Sequence, residues 1–129
     1  YQDFAFLPDF LSQNTNKSWA VVLPNATSMP ITVNNGYKMR AWYDIYSMDI
    51  TNKDDKDGVA QSVADIISII ESLEEQGVDS TDIFLGGFSQ GGVISLSTMN
   101  CYPKKLAGII ALSTYLPIST IIESSVKTK

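Results

Sequence analysis

The sequence contains no histidine. Histidine is the side chain whose unperturbed pKa lies near neutrality, so a serine nucleophile in this chain has no ordinary base to take its proton. The same absence, combined with a single cysteine, Cys101, removes the Cys/His clusters that hold zinc or iron–sulfur centres. It also removes any internal disulfide framework. Neither metal nor redox chemistry is suggested. Cationic residues are few: 9 Lys and Arg stand against 14 Asp and Glu, for a net charge of -5. Nucleic acid and anionic membrane surfaces would be approached against repulsion, and neither is expected as a partner. No apolar run is long enough to span a bilayer, and the N-terminal residues lack the basic-then-apolar order of a secretory leader. A cytoplasmic protein is the expectation.

What is present suffices for one domain: 129 residues, 44% of them hydrophobic. Phe4, Leu7, Phe10 and Leu11 recur at helical spacing with Pro8 at a start or kink, predicting a partly apolar helix over residues 3–14. Residues 19–23, Trp-Ala-Val-Val-Leu closed by Pro24, predict a first strand buried on both faces. Residues 25–57, with Pro30 and Asn34-Asn35-Gly36, sustain neither period and read as a long loop of the kind that carries function. The acids Asp49, Asp54, Asp55 and Asp57 before Gly58 invite comparison with a calcium loop. With Gly58 in its sixth place, however, the first and twelfth ligand positions fall on Lys53 and Ala64, which cannot ligate. The acids read instead as negative charge at a helix N-terminus. That helix is set by Val59, Val63, Ile66, Ile67, Ile70 and Leu73, with Gly77 as its C-cap.

The chemistry is concentrated in residues 83–94. An apolar run, Ile83-Phe84-Leu85, meets a glycine pair, presents Ser89 between Gly87 and Gly91, and passes into a helical pattern. Gly-x-Ser-x-Gly between a strand and a helix is a nucleophile elbow, in which a tight turn projects the serine hydroxyl from the top of a sheet. A side chain at Gly87 or Gly91 is expected to collide where the backbone doubles back. The helix that follows, over about residues 91–100, aims its N–H groups at the serine, and Pro103 prevents its continuation. Residues 106–112 supply a third apolar strand. Strand, helix, strand, helix, strand predicts an α/β fold with a parallel sheet and crossover helices. The sequons at Asn16 and Asn25 read as chance matches. Ser124-Ser125-Val126-Lys127 matches Ser-x-x-Lys but lacks the companion segments of penicillin-recognising enzymes.

Gly86-Gly87-Phe88-Ser89-Gln90-Gly91-Gly92 is followed by Lys105-Leu106-Ala107-Gly108 and Ala111-Leu112-Ser113-Thr114-Tyr115-Leu116-Pro117. Together with Met39-Arg40-Ala41-Trp42-Tyr43-Asp44-Ile45 upstream, these segments resemble the phospholipase/carboxylesterase family of α/β-hydrolases, which includes the acyl-protein thioesterases. The resemblance runs from residue 19 to residue 117. It implies that Ser89 attacks the carbonyl of a small acyl ester or acyl thioester, and that the backbone N–H of Gln90 is an oxyanion-hole donor. It further implies an acyl groove lined by Met39 and Trp42, positions that core packing explains about as well, and no cofactor.

The sequence departs from that family in three places. The fold orders its triad as Ser, Asp/Glu, His, whereas Glu123 is the one acid after Ser89. The His-Gly-Leu-Gly-type loop that carries the second oxyanion donor is missing. The strand that would lie between residues 19–23 and the elbow strand is missing too. The expectation is a truncated α/β-hydrolase, with residues 1–129 as the central part of a single domain whose oxyanion-loop and Asp/His segments lie outside it. Such a chain is expected to be weakly active or inactive alone, and its open strand edges invite a complementary chain or self-association. The alternative is a non-catalytic binding or assembly module.

Overall fold

A computed structural model describes residues 2–49 and 55–116, so the Ser-x-x-Lys match, Glu123 and the position of Lys53 lie outside the described residues. The elements are α1 (Leu7–Asn14), β1 (Ser28–Ile31), β2 (Tyr37–Arg40), α2 (Lys56–Glu75), β3 (Phe84–Phe88), α3 (Gln90–Cys101) and β4 (Gly108–Leu112). None of the described helices is long and apolar enough to cross a membrane.

α2 is the spine of the core, and its apolar period is the one read from the sequence. Val59 and Val63 pack with Tyr43, Val93 and Ile94. One to two turns further on, Ile70 packs with Ile83, Leu85, Tyr102 and Leu106. Ile66 and Ile67 lie against both clusters and join them. Both ends of α2 are closed by local chemistry. Asp55 caps the start, its Oδ1 accepting from Gly58 N at 3.0 Å, and Asp57 lies in the first turn, so these two of the acids before Gly58 serve a helix N-terminus, while Asp54 lies outside the described residues. At the other end Gly77 takes φ +95°, its N–H bonds to Glu74 O and that of Val78 to Leu73 O. This double closure is a Schellman cap.

β3 and β4 pair in parallel, from Phe84 opposite Gly108 to Phe88 opposite Leu112, with α3 as the crossover. The face bearing Leu85 turns to the core. On the opposite face Phe84, Phe88, Ile110 and Leu112 are 49%, 56%, 52% and 52% exposed. Parallel strands ordinarily lie between two covered faces. Here the described chain covers one.

Residues 19–23 differ from expectation. They form no strand, and Val22 is exposed. A strand exists only where its N–H and C=O groups meet a ladder. The Trp19 ring lies against the Phe84 ring of β3, tilted at 59° with 5.7 Å between centroids. The composition of residues 19–23 is apolar, but no ladder partner lies beside them among the described residues, where the expected three-strand sheet is a two-strand parallel ladder. Residues 25–57 differ in the other direction, because they contain an antiparallel hairpin of β1 and β2, with Ser28 opposite Arg40 and Ile31 opposite Tyr37. Its reversal uses Asn35 at φ +52° and Gly36 at φ +74°. Asn-Gly is a strong hairpin signal, but four-residue strands with Pro30 in one of them show no readable alternation. α1 forms at the predicted place with Pro8 in its first turn, and buries none of its residues.

The elbow depends on how closely α3 returns over β3. A Cβ on Gly87 would fall inside the van der Waals radius of the Gly91 carbonyl and 2.5 Å from Gly92 N. Gly91 itself is not so constrained, since a Cβ there would meet only Trp42 Nε1, at an ordinary 3.8 Å. This corrects the expectation that both glycines are sterically required. The second tight position is Gly92, where a Cβ would come within 2.6 Å of Thr114 Cβ.

Three outcomes follow from this packing. Gly87→Ala lowers the unfolding free energy by about 3 kcal/mol or more, whereas Gly91→Ala, in the first turn of α3, leaves it equal or raises it by up to about 1 kcal/mol. Urea titration of both variants checks the contrast. Thr98→Val raises stability by about 1 kcal/mol, because Thr98 Oγ1 is buried with no hydrogen-bond partner among the described residues. The third outcome concerns Glu74, which accepts from the Tyr102 hydroxyl and from Lys104 Nζ at 2.9 Å. The Tyr102 bond, then the Lys104 bond, hold the Glu74 carboxyl below the usual range, and Glu74 in turn pushes the Tyr102 hydroxyl up to about 12. A lowered acid stabilises above its ordinary pKa and a raised phenol below its own. The advantage of wild type over Tyr102→Phe is therefore full at neutral pH. It shrinks as pH falls through the carboxylate range and again as pH rises from about 10 towards 12. Denaturation midpoints measured across pH report this.

Candidate active site

Ser89 stands at the junction of β3 and α3 with φ +53° and ψ -119°. A non-glycine residue there carries strain of roughly 1–3 kcal/mol and persists only where its surroundings fix it. Four hydrogen bonds do so. Ser89 N–H donates to Leu112 O at 2.9 Å, at the end of β4. Its carbonyl accepts from Gly92 N at 3.0 Å, Val93 N at 3.2 Å and Thr114 Oγ1 at 2.8 Å. Gly92 is what lets Thr114 stand so close. The side chain takes no part in this clamp: Ser89 occupies the N-cap position of α3, yet its hydroxyl makes no capping bond. A strained, exposed serine whose hydroxyl makes no hydrogen bond among the described residues is suited to attack.

Gln90 is the first residue of α3, so its backbone N–H is one of the orphan donors at the helix start, beside the positive end of the dipole. Its side chain reaches back to the loop after β2. Oε1 accepts from Trp42 N at 3.2 Å, and Nε2 donates to Tyr43 O at 2.9 Å. Trp42 is half-buried, with its indole nitrogen near Gly91, so the structure brings Ser89, Gln90, Gly91 and Trp42 together. Met39 is not drawn in by any hydrogen bond. It lies on β2, 45% exposed, with Sδ directed at Asn34 Nδ2 of the same hairpin.

The loop over residues 41–45 is rigidly tied although it has no regular structure. Thr32 donates to Asp44 through both its amide, at 2.7 Å, and its hydroxyl. Asp44 N–H donates to Asp55 Oδ2 at 2.9 Å, and Ser62 Oγ donates to Trp42 O. Desolvation pushes the Asp44 acid up, and the bonds from Thr32 and Ile45 outweigh it, leaving a net lowering. The Asp55 carboxylate, with burial and Asp44 adding to it, pushes the Tyr46 hydroxyl up. These charges hold the loop. Among the described residues none of the titratable side chains is hydrogen-bonded to the Ser89 hydroxyl, and none groups with others as a metal site.

Sequence reasoning named Ser89, the Gln90 N–H, Met39 and Trp42; of these the structure brings Ser89, Gln90 and Trp42 together and leaves Met39 out on the hairpin. The same reasoning missed Thr114, Gly92 and the side chain of Gln90. The doubled Gly91-Gly92 was the available signal for a second close approach, and nothing in the sequence signals a bond between residues 90 and 42.

Comparison with known proteins accords with this geometry. The sequence profile of the family described as Phospholipase/Carboxylesterase matches residues 5–129. Acyl-protein thioesterase 1 of Schizosaccharomyces pombe is 40% identical over 124 residues, which cover 96% of this chain and 54% of that protein. Acyl-protein thioesterase 1 of Neurospora crassa is 42% identical over 103 residues, covering 76% and 42%. Among solved structures, Arabidopsis thaliana SOBER1 superposes with a TM-score of 0.83 at 30% identity, covering 95% of this chain and 60% of that one. Zea mays acyl-protein thioesterase 2, at 23% identity and a TM-score of 0.66, shares the fold. The chain spans about half the length of the curated relatives it matches. With a matching profile over nearly its whole length, and a strand–serine–helix elbow in place, this chain belongs to the phospholipase/carboxylesterase family of α/β-hydrolases.

Proposed function

We propose that this chain carries the nucleophile of a serine acyl hydrolase acting on small carboxylic esters or acyl thioesters. The carrying observation is Ser89, strained at φ +53° between β3 and α3, with a hydroxyl that makes no capping bond. The thioesterase names of its relatives support the substrate class. In this reading Ser89 Oγ adds to the acyl carbonyl and the alcohol or thiol leaves, giving an acyl-serine that water then hydrolyses. The carbonyl oxygen, negative in the tetrahedral intermediate, faces the Gln90 backbone N–H and the N-terminus of α3. Gly87 and Gly91 belong to the elbow, and Trp42, with Met39 further out on the hairpin, forms the acyl-facing side.

The reaction also needs a base, and the sequence has no histidine. Residues 1–129 are therefore read as the central part of one hydrolase domain, in which the Asp, the His and the second oxyanion donor come from other segments. Alone the chain turns over slowly at best, since a site without its full triad keeps only roughly 10³ to 10⁴ over water even with an intact oxyanion hole.

A second reading, a non-catalytic module that pairs with a complementary chain or with itself, is favoured by one observation: the uncovered face of Phe84, Phe88, Ile110 and Leu112. A monodisperse monomer in light scattering at high concentration would remove it.

For the first reading the test is a fluorophosphonate probe. Lacking a base, Ser89 reacts through its small alkoxide fraction, so the labelling rate rises about tenfold per pH unit from 7 to 9, with no plateau near neutrality. Ser89→Ala abolishes the signal. A plateau near neutral pH would show that the chain holds a working base. Equal labelling of wild type and Ser89→Ala at pH 9 would remove Ser89 as the nucleophile.

A further inference from the structure

Gln90 serves the site twice, and its second service comes from its side chain. The carboxamide presents an acceptor and a donor in one plane, and the loop opposite presents the complementary pair, Trp42 N–H and Tyr43 C=O. Both are engaged, across 47 and 48 residues of sequence. On its far side the loop is held by α2, through Ser62 Oγ to Trp42 O and Asp55 Oδ2 to Asp44 N. On the elbow side Gln90 makes the described hydrogen bonds to it. The indole of Trp42 then rests over the first turn of α3, its Nε1 3.8 Å from where a Cβ on Gly91 would stand.

We propose that the Gln90 side chain is a positioning residue: its two bonds to Trp42 and Tyr43 set the Trp42 indole beside Ser89, so the residue that offers the oxyanion N–H also fixes the apolar wall that the acyl group meets. The significance of this rests on the acyl-hydrolase reading above, and its test does not. No other uncharged side chain of this length offers both a donor and an acceptor. Glutamate keeps the acceptor and loses the donor, and methionine, of similar length, loses both.

The experiment uses the whole chain with Trp19→Phe, which leaves Trp42 as the single tryptophan. Two readouts are taken: amide hydrogen exchange resolved by residue, and indole emission. In Gln90→Met the Trp42 amide exchanges about tenfold faster and the emission moves to longer wavelength, while Val93 and Ile94 in the core keep their protection. Gln90→Glu, which still accepts from Trp42 N–H, restores most of the Trp42 protection. An unchanged Trp42 amide and emission in Gln90→Met would overturn the proposal. Faster exchange spread equally over Val93 and Ile94, or no restoration by glutamate, would overturn it too, by making Gln90 a general stabiliser. Neither readout requires turnover, so a failure here is distinct from a failure of Ser89 in the labelling test.

Discussion

The structure depends on one close approach: the backbone of α3 crossing β3 at Gly87 with no room for a methyl group between them. Because the helix begins there, Ser89 has to turn through a left-handed conformation to join it. Because it turns, its carbonyl points at Thr114 and its amide at the end of β4. The parallel ladder, the helix start and the strained serine are thus one arrangement. Widening the crossing would relax the strain and withdraw the hydroxyl from its exposed position.

Around this arrangement the chain uses polar ties where it lacks regular structure. Asp55 caps α2 with one oxygen and holds Asp44 N–H with the other, and Asp44 holds the hairpin turn at Thr32. A helix start, a loop and a hairpin are therefore fixed by two neighbouring carboxylates. Gln90 completes the series from the opposite side. Buried backbone groups must find partners somewhere, and in residues 42–44 side chains supply them in place of a ladder.

What the sequence made legible was local. The apolar period of α2, its glycine after the last turn, the strand leading to Ser89 and the strand before Ser113 all follow from residues within a turn or two of one another. What it hid was relational. Residues 19–23 have the composition of a buried strand, and whether they become one depends on a neighbour that is not among the described residues. Gly91 looked as necessary as Gly87 because the motif is symmetrical in writing, whereas in space one glycine faces a backbone and the other an indole. The Gln90 bonds, joining positions 47 and 48 residues apart, leave no periodic trace. The hairpin failed for a third reason: four-residue strands are shorter than the window in which alternation can be counted.

The contiguity of the elbow has a consequence for how the protein assembles. Everything that strains and clamps Ser89, from Phe84 to Thr114, lies in a single strand–helix–strand stretch, with Phe84 pairing directly to Gly108. Contacts within one such stretch close with a smaller entropic penalty than contacts between distant segments. The geometry at Ser89 is thus contained in a short piece of chain. Segments outside that stretch meet a turn whose clamp they do not have to supply.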